Sequence, residues 1–170
     1  LGSQSEATIA PNDVLRGVRD ALATITAPRL FQSERGYQGA LLAQLHQRLR
    51  LSDNAIVEQE YQKQAGKHGL TIRPDIIVHE PFDPARHNAR TEGNVAVIEL
   101  KLRATAAEAL GDFQSLRSML EVLRYPLGLF INIDAAVTHA KSVPADLQRR
   151  IVCFAVMLNR GVPQIIEDRD

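Results

Sequence analysis

The 170-residue chain is predicted to be a single α/β domain built on a central mixed sheet flanked by helices. Three observations predict it. Two stretches at helical spacing are followed by three strand-like stretches in succession. A third helical stretch then leads into a short unbroken apolar run, as expected of a crossover to a strand covered on both faces. The last of the three successive strands is apolar on both of its faces at the start, which places it centrally.

Taken in order, Asn12 or Asp13 can cap a first helix after Pro11, with Val14, Leu15, Val18, Leu22 and Ile25 as its inward stripe and Pro28 as its end. Ser33 can cap a second helix over residues 33–50, whose stripe is Tyr37, Leu41, Leu45 and Leu49, with Leu42 beside it. Residues 55–64 alternate weakly and predict a strand, and 65–69 a turn. Residues 70–79 predict a second strand, interrupted by Pro74, which implies an edge, a start or a bulge. Residues 80–94 form a polar loop with Pro81, Pro84 and Gly93. A strongly apolar strand over 95–102 follows, then a helix over 106–124 with Leu110, Phe113, Leu116, Leu120 and Leu123 as its stripe. Residues 127–133 are a short apolar strand, and Pro144 suits the first turn of a short helix. Residues 151–158 predict a strand that turns at Asn159-Arg160-Gly161 into a hairpin partner at 162–167. Residues 11–170 are thus expected to be one domain, and 1–10 a disordered or appended N-terminus.

Composition narrows the classes. Apolar residues make up 45% and charged residues 24%, the balance of a globular domain. No apolar stretch approaches the ~18 residues of a membrane helix, no segment has the pattern of a secretory leader, and Cys153 is the single cysteine. A cytoplasmic location is expected, with Cys153 a small buried hydrophobe. Twenty basic residues balance twenty acidic ones. This counts modestly against tight non-specific nucleic-acid binding without excluding DNA, since carboxylates that hold metal offset a local basic groove.

The chemistry concentrates in three places. Side chains alternate along a strand, so in 95–102 one face carries Ala96, Ile98, Leu100 and Leu102, and the other Val95, Val97, Glu99 and Lys101. A carboxylate and an ammonium in an otherwise apolar strand are costly unless paired or ligating. Taken alone, Glu99 and Lys101 read first as a partly exposed ion pair at a strand end, since Glu-x-Lys is common in strands. Asp75 follows Pro74 in the preceding strand and is either a turn residue or, if the strands pair antiparallel, a neighbour of Glu99 across ~4.8 Å. Two such carboxylates with an open face suit a hard cation such as Mg²⁺. Glu34 lies on the inward stripe of the second helix, at its N-terminal end. The helix dipole explains that end but not the choice of face.

Pro74-Asp75, then 23 residues, then Glu99-Leu100-Lys101 resembles the bipartite signature of the PD-(D/E)XK, restriction-endonuclease-like nucleases. Glu34 matches the acidic first motif of that superfamily, and the order of elements over 33–134 resembles its αβββαβ core. The resemblance implies a metal-dependent nuclease that hydrolyses phosphodiester bonds, with DNA as the expected substrate. Asp75, Glu99 and the backbone carbonyl of Leu100 would bind Mg²⁺, for which Mn²⁺ could substitute, and Glu34 would complete the site directly or through water. The metal would acidify a water and neutralise phosphate charge. Lys101 would orient or deprotonate that water and stabilise the developing negative charge.

Other candidates carry less. Gln114 occupies the position of a helper glutamine found in some branches, but no Tyr follows four residues on, and a solvated helix residue is the plainer reading. Arg73, Arg86, Arg90 and Arg103 could meet phosphates, Arg103 because it continues the face of Glu99 and Lys101. The five histidines lack zinc-like spacing. Scarce aromatics with no Trp argue against a base-stacking platform. Two other readings stay open: a module that keeps a nuclease fold without turnover, for nucleic-acid binding or assembly, and an unrelated α/β interaction domain. A homodimer would suit cleavage of both strands of a duplex.

Overall fold

The computed structural model describes residues 9–51, 54–59 and 71–169. Helices α1 (Pro11–Leu22) and α2 (Glu34–Arg48) are joined through a 3-10 helix, Pro28–Gln32. Strands β1 (Ile56–Gln59), β2 (Ile76–His79) and β3 (Asn94–Leu102) follow, then helix α3 (Ala106–Val122) and strand β4 (Leu127–Ile133). A 3-10 helix, Ala140–Ser142, precedes strands β5 (Ile151–Asn159) and β6 (Val162–Asp168). The six strands form one sheet in sequence order. The pairs β1–β2, β2–β3 and β5–β6 are antiparallel, while β3–β4 and β4–β5 are parallel.

The sheet separates two cores. Val14, Leu15, Val18 and Leu22 of α1 and Tyr37, Leu41 and Leu45 of α2 pack on one face against Ile76, Ala96, Ile98 and Leu100. Phe113, Leu116 and Leu120 of α3 pack on the other against Ile77, Val97, Phe130 and Cys153. Residues 95–100 of β3 are all buried, because apolar side chains leave both of its faces into a helical layer. Buried Asn132 fixes the exit from β3: its Oδ1 accepts from the Ala104 N–H at 2.8 Å and its Nδ2 donates to the Val137 carbonyl at 2.8 Å.

Several boundaries move for identifiable reasons. The N-cap position of α1 is Ala10, and Asp13 accepts from the Ala10 N–H at 3.1 Å from inside the first turn. Ile9, in the segment before α1, is buried against the core. The first helix stops at Leu22, and Pro28 opens the 3-10 helix instead of ending α1. Ser33 caps α2 as expected, its hydroxyl accepting from the Gly36 N–H at 3.1 Å. The second strand is shorter than expected, starting at Ile76, because Pro74 has no N–H to give a ladder. Of the expected first strand, 56–59 form β1; residues 60–64 and the turn at 65–69 lie outside the described residues. Pro144 opens a run of turns, with Leu147 N–H to Pro144 O and Arg150 N–H to Leu147 O both 2.8 Å, and not a helix. The β5–β6 hairpin closes through Arg160 and Gly161 at φ of 50° and 79°, the left-handed pair that a two-residue hairpin turn needs.

The stripe of α3 is also corrected. Leu110 is 46% exposed, and the inward row is Ala109, Phe113, Leu116, Leu120 and Leu123. Thr105 and Glu108 fix the helix start in a capping box, which turns Ala109 inward and leaves Leu110 a further ~100° round the axis. Among the described residues no helix is long and apolar enough to cross a membrane. Leu110→Lys is therefore expected to change stability by less than about 0.5 kcal/mol, whereas Phe113→Ala should cost about 3–5 kcal/mol. Urea denaturation of the two variants measures this, and comparable losses in both would overturn the corrected face.

Candidate active site

The antiparallel register of β2 and β3 sets Ile76 opposite Ile98, and one step further it brings Asp75 opposite Glu99. The β2 ladder ends at Ile76, and Asp75 Oδ2 takes a further N–H of β3, that of Leu100, at 2.7 Å. A carboxylate thus continues the ladder that Pro74 interrupts. From α2 the Gln38 side chain, 4% exposed, donates to the Asp75 carbonyl at 3.0 Å. Asp75 is held by its side chain to β3 and by its main chain to α2. Glu99 is 7% exposed on the α3 side of the sheet.

Beyond them on β3 lies Lys101. Glu34, the first residue of α2, accepts from the Leu102 N–H at 3.2 Å with Oε2, and its Oε1 stands 3.9 Å from Lys101 Nζ. Asp112 of α3 reaches the same ammonium from the opposite layer, with Oδ2 at 3.9 Å. Asp75, Glu99, Lys101 and Glu34 converge at the C-terminal end of β3, together with the Leu100 main chain. Asp112 and Gln38 join them, although the sequence pattern did not single them out. Both were detectable in principle. Gln38 is four residues after Glu34, on the same helix face. Asp112 lies between Ala109 and Leu116 on the true inward row of α3, which a stripe begun at Leu110 hides.

Charge dominates the physics here. Burial pushes the Glu99 carboxyl well above the usual carboxylate range, and the facing charges of Asp75 and Asp112 push it further. Burial also raises Asp75, against the opposing pull of its bond from Leu100. Burial lifts Asp112 to about 6, partly offset by Lys101. Burial alone would lower Lys101, but Asp112, Glu34, Asp75 and Glu99 outweigh it and the net shift is upward. Two carboxylates this close do not both ionise readily.

The other candidates fall outside the cluster. Gln114 and Arg73 are exposed. Arg103 leaves the strand with φ 49°, is 61% exposed, and pairs with Asp134 at 3.0 Å. Arg86 pairs with Asp83 at 3.1 Å, and Arg90 lies 4.5 Å from the Phe82 ring centre, in the loop at the far end of the β2–β3 hairpin. His79 and His87 pair with Glu58 and Glu80 at 2.6 and 3.2 Å, and His139 meets the Ala104 carbonyl at 2.9 Å. His68 lies outside the described residues.

Among the described residues no group of three or more His, Cys, Asp or Glu side chains forms a ready-made metal site. The donor set nevertheless fits a hard cation. It is all oxygen, and the Asp75 carboxylate faces buried Glu99 closely enough to hold the Glu99 carboxyl up, a repulsion that a cation would relieve. No protein-family model, curated protein or solved structure matches the chain.

Two stability predictions follow from this geometry. Gln38→Leu leaves the Asp75 carbonyl without its side-chain donor and should cost about 1–3 kcal/mol by urea denaturation; an unchanged midpoint would rule the contact out. The second concerns pH. A carboxyl with a raised folded-state pKa stabilises the fold below its unfolded pKa, and that contribution is lost as pH rises through the folded value. For Asp112 this loss spans roughly pH 4 to about 6, and for Glu99 it continues higher. In EDTA, Glu99→Gln is expected to be more stable than the parent at pH 8 by about 0.5–2 kcal/mol, and to show less of an advantage at pH 5. Lower stability at pH 8 would show that the buried carboxylate is not the strained group.

Proposed function

We propose that this protein is a metal-dependent nuclease that hydrolyses phosphodiester bonds, with DNA as substrate. The observation that carries the reading is the convergence of Asp75, Glu99 and Lys101 at one end of β3, within a cluster that also takes in Glu34. The order α2-β1-β2-β3-α3-β4, with three antiparallel strands and a crossover to a parallel fourth, supports a restriction-endonuclease-like core.

On this reading Asp75 and Glu99 hold the cation, Mg²⁺ or Mn²⁺, with the Leu100 carbonyl and Glu34 at its margin. When bound, the cation neutralises phosphate charge and makes a water more acidic. The protein contributes the rest. The Leu100 N–H and the Gln38 amide fix Asp75 before any ligand arrives, so little ordering remains to be done on binding. Glu99 would hold the cation in its carboxylate form, its proton passing to solvent. Lys101, 29% exposed, can present its ammonium to the attacking water and to the phosphoryl oxygen on which negative charge builds.

A module without turnover is the second reading. The observation favouring it is that Lys101 lies between Glu34 and Asp112 and is partly neutralised by them. Both contacts are 3.9 Å, too long for hydrogen bonds, so the amine is not locked away.

Labelled duplex, single-stranded and branched DNA, incubated with protein in Mg²⁺, Mn²⁺ or EDTA, provides the test. Cleavage should require a metal and fall by about 10²–10⁴ in Lys101→Ala, with a comparable loss in Asp75→Ala. No cleavage of any substrate by folded protein in either metal would favour the module, and cleavage that survives in both variants would assign the activity to a contaminant.

A further inference from the structure

Lys101 is the point at which both helical layers reach the end of β3. Glu34 belongs to α2, which packs on one face of the sheet, and Asp112 to α3, which packs on the other. Each places a carboxylate oxygen 3.9 Å from Nζ. Asp112 is the more constrained of the two. Its side chain is 18% exposed, against 36% for Glu34, and its helix is anchored by buried neighbours Ala109, Phe113 and Leu116. Its Oδ2 is buried and makes no hydrogen bond. An aspartate on the inward row of a core helix, at the cost of an unsatisfied buried oxygen, has no packing rationale. Its one electrostatic partner of opposite charge within 4 Å among the described residues is the Lys101 ammonium.

We infer that Asp112 is a positioning residue for Lys101, holding the ammonium from the α3 side so that it stays aimed at the reacting phosphate. The inference rests on the nuclease reading. Asp112 does not touch the substrate; it limits where the four-carbon stem of Lys101 can swing. Its loss should therefore lower turnover while leaving substrate and metal binding in place.

The experiment compares Asp112→Asn, Asp112→Glu, Lys101→Ala and the double variant Asp112→Asn/Lys101→Ala. Asp112→Asn should lower kcat about 10- to 100-fold, with KM and the half-saturating Mg²⁺ concentration changed less than about twofold. Asp112→Glu should restore part of the rate. In the Lys101→Ala background, Asp112→Asn should cost nothing further, since the two act as a unit. Unchanged kcat in Asp112→Asn, losses that multiply in the double variant, or a loss confined to metal affinity would each overturn the inference. A second readout does not need activity. The chain has four lysines, Lys63, Lys67, Lys101 and Lys141. After ¹³C-methylation, the Lys101 resonance, assigned by its absence in Lys101→Ala, should move in Asp112→Asn while the other three stay put. If the parent protein cleaves nothing, the nuclease reading fails on its own account, and this resonance still decides whether Asp112 holds Lys101; an unmoved signal would mean that it does not.

Discussion

Glu99 is 7% exposed in a strand whose other buried residues are apolar, and it faces Asp75 across a β-ladder. Removing one carboxylate from water is costly, and setting a second against it adds repulsion. The surroundings reflect that constraint. Asp75 is stabilised by the Leu100 N–H, burial and the facing Asp75 hold the Glu99 carboxyl up, and a single ammonium stands two residues on along the strand. A sequence selected for stability alone would place apolar groups here, as it does at Val97 and Val95 two and four residues earlier. The site is a local violation of the rules that the rest of β3 obeys, and such violations gather where function demands them.

The fold supplies the rigidity that this violation needs. Residues 95–100 are buried under helices from both sides, and β3 is paired to β2 and β4, so the main chain that presents Glu99 and Lys101 has little freedom. The elements meeting at its end come from separate layers: α2 supplies Glu34 and Gln38, the approach to β2 supplies Asp75, and α3 supplies Asp112. No single segment forms the cluster. Its geometry depends on the sheet being sandwiched correctly, which couples foldedness to any chemistry at the site.

Most of this was legible in the chain, for a physical reason. Alternation and helical spacing are imposed by burial, so the strongly buried elements β3, β4 and β5 and the stripe of α2 could be read closely. What failed was phase and termination. Leu110 is as apolar as Phe113, and only the capping box at Thr105 and Glu108 decides which of Ala109 and Leu110 turns inward. That one-residue phase error concealed Asp112, which looks like surface when Leu110 is placed inside. Pro144 and Pro28 each fit a helix start or stop by local preference, but tertiary demands decide their actual roles. Gln38 was missed because a glutamine on a helix is ordinarily solvated; the 3.0 Å contact with the Asp75 carbonyl, 37 residues away in sequence, leaves no local trace.

The neutral charge of the chain bears on how a polyanion would be met. With twenty acidic and twenty basic residues the chain has no net charge to draw in a nucleic acid, and the acidic groups around Lys101 would repel a phosphate at close range. A phosphate can approach only once that local negative charge is offset, and one ammonium cannot do so. Asp112 and Glu34 each lie at the same distance from that ammonium, so their charge is partly spent on it and less of its charge is left for a ligand. A divalent cation at the oxygen-rich cluster would offset that charge and leave the ammonium, held by Asp112, free to act on the substrate. On the nuclease reading, metal and nucleic acid would not be independent ligands. Each would make the other's binding more favourable by an equal factor, as linkage requires, and a site that repels its substrate until the cation is present would bind nucleic acid weakly in the absence of metal.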